Sequence, residues 1–135
     1  MKRLPTDYEI LNAIYERYYD DFASFVGSEP TRSAKIMVPI DVRDLSSDMG
    51  VDPDIIFGRL YYHLERRHGY RQDDGSRVHL FALAAGDDRH CINFPLASSV
   101  LANLRDENRK YRTATGIAIV SLVVSVASIL ISVLG

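Results

Sequence analysis

The sequence predicts a mainly α (α+β) fold, in which one small domain with a small antiparallel β-sheet is followed by one transmembrane α-helix. Residues 113–135 carry no charged side chain. A helix from Ala114 to Leu134 would be about 30 Å long, the thickness of the hydrocarbon core of a bilayer. Before them, apolar residues recur at helical spacing, with short β-prone runs and turn residues between them. We therefore divide the chain into a cytoplasmic domain (1–94), a connecting basic helix (95–112) and a transmembrane helix (113–135).

The composition limits the classes of protein that the domain can belong to. All 16 Lys and Arg and all 18 Asp and Glu precede the uncharged run, and the net charge is -2. This is not the charge balance of a protein built mainly to hold nucleic acid. Cys91 is the only cysteine, so the chain cannot form an intrachain disulfide, which is typical of a reducing compartment. The charged start lacks an apolar stretch behind it, and we expect no signal peptide.

The first predicted element is a helix over residues 7–26. Thr6 is a suitable N-cap, and Glu9 three residues later completes a capping-box pattern. Apolar and aromatic side chains recur at spacings of three and four, and we expect this stripe in the core. Its members are Tyr8, Leu11, Ile14, Tyr15, Tyr18, Phe22 and Phe25. Residues 27–34 follow as a loop.

A short strand is predicted over residues 35–40, where Pro39 removes a ladder donor and favours a strand end or an edge strand. Asp41 then caps a second helix that runs to Met49 and is stopped by Gly50.

A third helix begins with Asp52 as its N-cap and Pro53 in its first turn, and it runs to His68. Its buried face is expected to contain Ile56, Leu60, Tyr61 and Leu64.

The rest of the domain is predicted as a β-hairpin and a fourth helix. A turn at residues 72–76 precedes a strand over 78–84, and a turn at 85–89 leads into a return strand over 90–94. Pro95 opens the fourth helix, which runs through the basic segment into the membrane helix. Its inward face is expected to hold Leu96, Val100, Leu101 and Leu104, and its bend points are Thr113 and Gly116.

This order of helix, strand, two helices, strand, wing and strand resembles the winged-helix family, a variant of helix-turn-helix. Residues 45–60, LSSDMGVDPDIIFGRL, resemble the helix-turn-helix signature. Ser46 stands at the small position where two helices cross, and Gly50 takes the turn between them. The resemblance implies a winged-helix domain over residues 7–94. It also implies DNA binding as the commonest role of the family, with the third helix in the major groove.

The residues at the contact positions argue against base reading. The early exposed positions of the third helix are Pro53, Asp54, Phe57 and Gly58, which offer no bidentate base contact. The wing tip at residues 86–89 is acidic. Basic residues come later, and we name them as candidates for contact with nucleic acid or with a protein partner: Arg59, His63, Arg66, Arg67 and Arg71. A winged helix used as an interaction module is an equally good interpretation.

Catalysis and metal binding have little support in the sequence, and we assign no catalytic residue, metal or cofactor. The soft ligand candidates are His63, His68, His79, His90 and Cys91, and they have no metal-ligand spacing. The sequence contains neither a phosphate loop nor a nucleophile motif. We therefore expect a protein that is not an enzyme.

The uncharged run carries the strongest functional pattern. Small residues recur at spacings of four and three, and at ~100° per residue they fall within an arc of roughly 80°. We call this set the Ser/Ala face: Ala114, Ala118, Ser121, Ser125, Ser128 and Ser132. Small residues let membrane helices approach closely, so we expect this face to associate helices into a homo-oligomer. A bundle whose serines line an aqueous path is the alternative interpretation.

The flanking charges predict the orientation. Four basic residues stand just before the span: Arg105, Arg109, Lys110 and Arg112. The positive-inside rule therefore predicts that the domain lies on the cytoplasmic side of an inner or plasma membrane. The leading hypothesis is a non-enzymatic module that binds a cytosolic protein partner and oligomerises in the membrane. One form of it is a bacterial effector that perturbs the membrane, as in anti-phage defence. The alternative is a membrane-tethered transcription regulator that binds DNA through residues 53–71.

Overall fold

A computed structural model describes residues 3–134 and shows a mixed α+β protein with small antiparallel sheets and one long apolar C-terminal helix. The chain forms two compact units, Met1–Leu101 and Ala102–Gly135. The elements in chain order are α1 (Asp7–Ala23), β1 (Met37–Pro39), α2 (Val42–Met49), α3 (Pro53–Gly58), a π-helical turn (Arg59–Leu64), α4 (Glu65–His68), β2 (Tyr70–Arg71), β3 (Arg77–Val78), β4 (Phe81–Ala85), β5 (Asp88–Asn93) and α5 (Phe94–Leu134). The fold class agrees with the sequence prediction.

Helix α1 begins with the predicted capping box. The Thr6 hydroxyl accepts the Glu9 N–H at 3.1 Å, and the Glu9 carboxylate accepts the Thr6 N–H at 3.4 Å. The helix ends at Ala23, three residues earlier than predicted. Arg32 explains this end, because its guanidinium donates to the Asp21 carbonyl at 3.0 Å and so satisfies a group that a longer helix would have used.

The aromatic stripe of α1 is only partly buried. Ile10, Leu11, Ile14 and Tyr18 form its buried side. The other aromatic members, including Tyr15 and Phe22, lie half-buried at its edge. There both rings stack on Phe94, with centroids 5.6 and 4.7 Å away. The prediction of a core stripe is thus confirmed for the aliphatic residues and Tyr18.

The central sheet has the strand order β1-β5-β4, and all pairs are antiparallel. Ile92 of β5 lies between Val38 of β1 and Phe81 of β4, and all three side chains are almost fully buried. The first strand covers Met37–Pro39 rather than residues 35–40, and Pro39 stands at its end as expected. The sheet therefore packs one face into the core against the helices.

The predicted strand over residues 78–84 is wrong as a single element. Arg77–Val78 pairs with Tyr70–Arg71 as a separate hairpin, and β4 starts only at Phe81. The break has a specific cause, since the N–H groups of Leu80 and Phe81 donate to the carboxylate of Glu65 instead of to a strand. The return strand starts at Asp88, two residues before its predicted position.

The helical path over residues 53–68 agrees with the prediction, but its middle is a π-helical turn, Arg59–Leu64. Its N–H groups bond five residues back, as Glu65 does to the Leu60 carbonyl. The wider turn changes which side chains face inward. Leu60, Leu64 and Glu65 are buried, whereas Tyr61, predicted as core, is 38% exposed.

Helix α5 is continuous from Phe94 to Leu134, a length of 41 residues. It begins one residue before the predicted Pro95, because the Asn93 side chain accepts the Leu96 N–H at 3.2 Å and acts as a cap. Val100 and Leu101 are buried as predicted, together with Phe94 and Ala97, whereas Leu96 and Leu104 are half-buried. The helix passes through both predicted bend points without interruption.

Candidate functional site

The C-terminal part of α5 is long and apolar enough to cross a membrane. Its most apolar 18-residue window has a mean hydropathy of 2.8, and none of that window is buried. A core helix of a soluble protein would bury such a surface, since exposed apolar area is unfavourable in water. It is the only candidate span within residues 3–134.

All six residues of the Ser/Ala face lie on this helix and are exposed. The Ser125 hydroxyl donates to the Ser121 carbonyl at 2.9 Å, and the Ser128 hydroxyl donates to the Val124 carbonyl at 3.0 Å. These bonds satisfy both hydroxyl donors within the helix, so the face can enter hydrocarbon or a helix contact without leaving them unpaired. The rest of the surface of residues 113–134 is mostly Ile, Val and Leu.

The basic residues predicted as a contact surface fall into two groups. Arg59 and His63 turn toward α1, where both side chains bond the carboxylate of Asp7. The His63 Nε2 lies 3.1 Å from Asp7 Oδ2, and Arg59 also donates to the Pro5 carbonyl. Arg67 approaches the same carboxylate at 3.9 Å. These three residues therefore help to hold the domain together.

Electrostatics support the internal role of this cluster. Burial acts to raise the pKa of Asp7, but the hydrogen bonds from Arg59 and His63 outweigh it and hold the pKa below its ordinary value. The Asp7 side chain is only 17% exposed. The carboxylate is thus ionised at neutral pH and neutralises part of the charge that a phosphate would otherwise attract.

Arg66 and Arg71 form the second group, and both are exposed. Arg71 lies opposite Arg77 in the β2–β3 hairpin. Arg66 borders a cleft of about 610 Å³ between the π-helical turn and β4. The cleft wall carries Tyr61, Tyr62 and Leu83, all exposed. Aromatic rings beside an arginine are the composition typical of protein interfaces.

The floor of this cleft contains a buried carboxylate that sequence reasoning missed. Glu65 accepts from Arg77 Nε at 2.9 Å, from Leu80 N at 2.6 Å and from Phe81 N at 3.1 Å. Nδ1 of His79 lies 2.9 Å away. Burial acts to raise the pKa of Glu65, yet these donors, with Arg77 first among them, keep it below its ordinary value. The group is a satisfied structural anion rather than a proton donor.

No local pattern in the sequence marks Glu65. It stands directly before two arginines, in a run that is typical of a solvated helix face. Gly69 gives a weak signal, because a Cβ there would lie 2.7 Å from the backbone carbonyl oxygen of Glu65, which cannot move aside as a side chain could. The glycine is therefore required by close approach.

A second cleft of about 750 Å³ lies at the start of α3. Its walls include Pro53, Asp54 and Phe57, the positions that the resemblance assigned to base contact. Phe57 is half-buried, and its ring stacks on Tyr61 at 5.5 Å and lies 5.6 Å from the ring of His90. A ring that already packs in this way does not reach out to a base edge.

Titratable side chains line both clefts, and in the first cleft Arg77 and His79 are bonded to Glu65. Within residues 3–134, no three His, Cys, Asp or Glu side chains lie close enough to hold a metal ion. Cys91 is buried in β5, and burial raises the pKa of its thiol, which makes it a poor nucleophile. We take the Ser/Ala face and the aromatic wall of the first cleft as candidate functional surfaces.

No protein-family model matches the chain, and no curated protein or solved structure shows significant similarity to it. Within residues 3–134, the structure shows helices with a small antiparallel sheet and one long apolar C-terminal helix that is a candidate membrane span.

Proposed function

We propose that this protein is a single-pass membrane protein that works without catalysis, through a cytoplasmic interaction domain and through association of its membrane helices. The observation that carries the proposal is the exposed, uncharged part of α5, in which Ser125 and Ser128 bond back to their own helix along one face. Such a surface is suited to lipid and to helix packing. The flanking arginines favour a cytoplasmic domain on an inner or plasma membrane.

The proposed domain type is a winged helix. Strand β1 lies in the chain between α1 and α2, and it joins the β4–β5 hairpin in the order β1-β5-β4. The two helices after it are joined by a tight turn at Gly50, whose φ is 68°. Ser46 is buried at the crossing. These features support the resemblance, with the β4–β5 turn as the wing.

The side-chain contacts favour a protein partner over DNA for this domain. Arg59 and His63 are paired with Asp7, and Phe57 is packed. Asp88 at the wing accepts the Ser33 N–H at 2.8 Å and places negative charge where a DNA-binding wing would meet phosphates. The aromatic wall beside Arg66 is the surface we assign to the partner. A bacterial effector that perturbs the membrane on partner binding, as in anti-phage defence, is the specific form we propose.

Helix association is tested by Ser125→Leu with Ser128→Leu in the full-length protein. Leucine at these positions blocks the close approach of two helices, so crosslinked oligomers in membranes of expressing cells should fall severalfold. Val123→Leu with Ala127→Leu adds bulk on the opposite face and serves as the matched control. Unchanged crosslinking and unchanged membrane permeability in the serine variant would show that the face is not the working surface.

The membrane-tethered transcription regulator is the second candidate, and the exposed Arg66 and Arg71 are the observation in its favour. Binding of the full-length protein in nanodiscs to duplex DNA should be followed across salt concentration. A regulator that contacts phosphates gives a steep negative salt slope, and absence of binding at low salt rules it out.

A further inference from the structure

The arginines that precede the uncharged run lie on one side of α5. At ~100° per residue, Arg105, Arg109 and Arg112 fall within an arc of roughly 60°. The helix continues without a break into the apolar segment, so this spacing holds up to its edge. All three residues are exposed. We call this set the arginine face.

The acidic residues of the same segment lie elsewhere on the helix. Asp106 pairs with Lys110 at 3.0 Å as an exposed pair one turn apart. At ~100° per residue, Asp106 lies roughly 60° from Arg109 and Glu107 lies roughly 140° from Arg112, the nearest arginine in each case. Both acidic residues therefore lie outside the arc that the three arginines occupy.

The arginine face and the Ser/Ala face point in opposite directions. At ~100° per residue, the centre of the Ser/Ala face is roughly 180° from Arg105. Ala114 begins that face only two residues after Arg112. Helices that associate through their small residues therefore turn their arginines outward, toward the surrounding lipid.

We propose that the arginine face binds the anionic phosphate headgroups of phospholipids in the membrane that α5 spans; this rests on the proposed membrane span. Arg112 adjoins the apolar run, and Arg105 lies about 10 Å further along the axis at ~1.5 Å per residue. The polar layer outside the hydrocarbon core is several Å thick on each side, and long arginine side chains extend into it. A guanidinium is well shaped for bidentate contact with phosphate.

The test uses the full-length protein reconstituted in vesicles that contain spin-labelled phosphatidylglycerol or spin-labelled phosphatidylcholine. We expect phosphatidylglycerol to be preferred by about fivefold at low salt, and the preference to shrink as salt screens the charges. Arg109→Gln with Arg112→Gln should remove most of it. The control is Arg43→Gln with Arg89→Gln, which makes the same charge change at exposed positions of the domain and should leave it intact.

Three results overturn the proposal: equal association of both lipids with the wild-type protein, an equal loss in the control variant, or displacement by inorganic phosphate at constant ionic strength. The last result would indicate a site for a soluble anion. Alkaline extraction separates this inference from the membrane span itself. Protein that is released by carbonate contradicts the span, whereas protein that is retained without lipid preference contradicts only the arginine face.

Discussion

At the scale of single residues, Glu65 determines the local course of the chain. Its carboxylate accepts two backbone N–H groups, from Leu80 and Phe81, and it also faces Arg77 and His79. An anion buried with this many donors holds its neighbours in place, and removing its charge leaves those donors poorly satisfied. The strand that the sequence predicted over 78–84 is interrupted for this reason.

We expect Glu65→Gln to lower the free energy of unfolding by about 2 kcal/mol, because hydrogen bonds to an ionised group are replaced by weaker neutral ones. Chemical denaturation of the full-length protein in detergent measures the change. Glu16→Gln, at an exposed position of α1, is the control and should stay within about 0.5 kcal/mol of wild type. An effect at Glu65 no larger than at Glu16 would contradict the structural role.

At the scale of elements, Asp7 joins the start of α1 to the helix over residues 53–68. Three basic side chains of that helix converge on its carboxylate, namely Arg59, His63 and Arg67. The π-helical turn contributes to this convergence, because it contains Arg59 and His63 and shifts the side chains that follow. In a regular helix, which the sequence pattern predicts, these side chains would lie at different angles around the helix axis.

The contact of Asp7 with these basic side chains makes the free energy of unfolding depend on pH in the acid range. The pKa of Asp7 is lower in the folded state than its ordinary value near 4, so its contribution is complete above that value and is lost as pH falls through the folded pKa. We expect the difference in unfolding free energy between wild type and Asp7→Asn to shrink as the pH falls below about 4. Asp20→Asn, at an exposed carboxylate of α1, is the control, and a trend of equal size in both variants would contradict the specific role of Asp7.

At the scale of the whole molecule, the chain combines a domain that buries its apolar side chains with a helix segment that buries none. The domain core includes Leu45, Ile56 and Leu80, each with no exposed surface. The side chains of residues 113–134 are exposed throughout. The first part is therefore suited to water, and the second is long and apolar enough to lie in lipid.

Removal of residues 113–135 should accordingly convert a membrane protein into a soluble one. We expect the full-length chain to remain in the membrane pellet after alkaline carbonate, and the fragment 1–112 to appear in the supernatant. A circular dichroism spectrum with retained helix would show that the fragment is folded. Recovery of the full-length chain in the supernatant would contradict the proposed anchor.

The helix ends show how far local patterns predict this fold. Thr6, Asp41 and Asp52 cap helices where expected, and Gly50 ends α2 in the left-handed conformation. Caps and turns depend on neighbouring residues only, which is why the sequence displays them. The predicted end of α1 at residue 26 is wrong, because the actual end depends on a bond from Arg32 to the Asp21 carbonyl, eleven residues earlier in the chain.

The sequence by itself determined the candidate membrane span, the Ser/Ala spacing and the order of most elements, since each follows from hydropathy and periodicity along the chain. Only the tertiary structure decided that Arg59 and His63 bond Asp7, that Tyr61 is exposed and that Glu65 is buried. The bonds to Asp7 and the burial of Glu65 join residues that are far apart in the sequence. The exposure of Tyr61 follows from the wider π-helical turn, which rotates its side chain away from the position it would have in a regular helix. Side-chain partners of this kind are set by the packing of elements, which local patterns do not record.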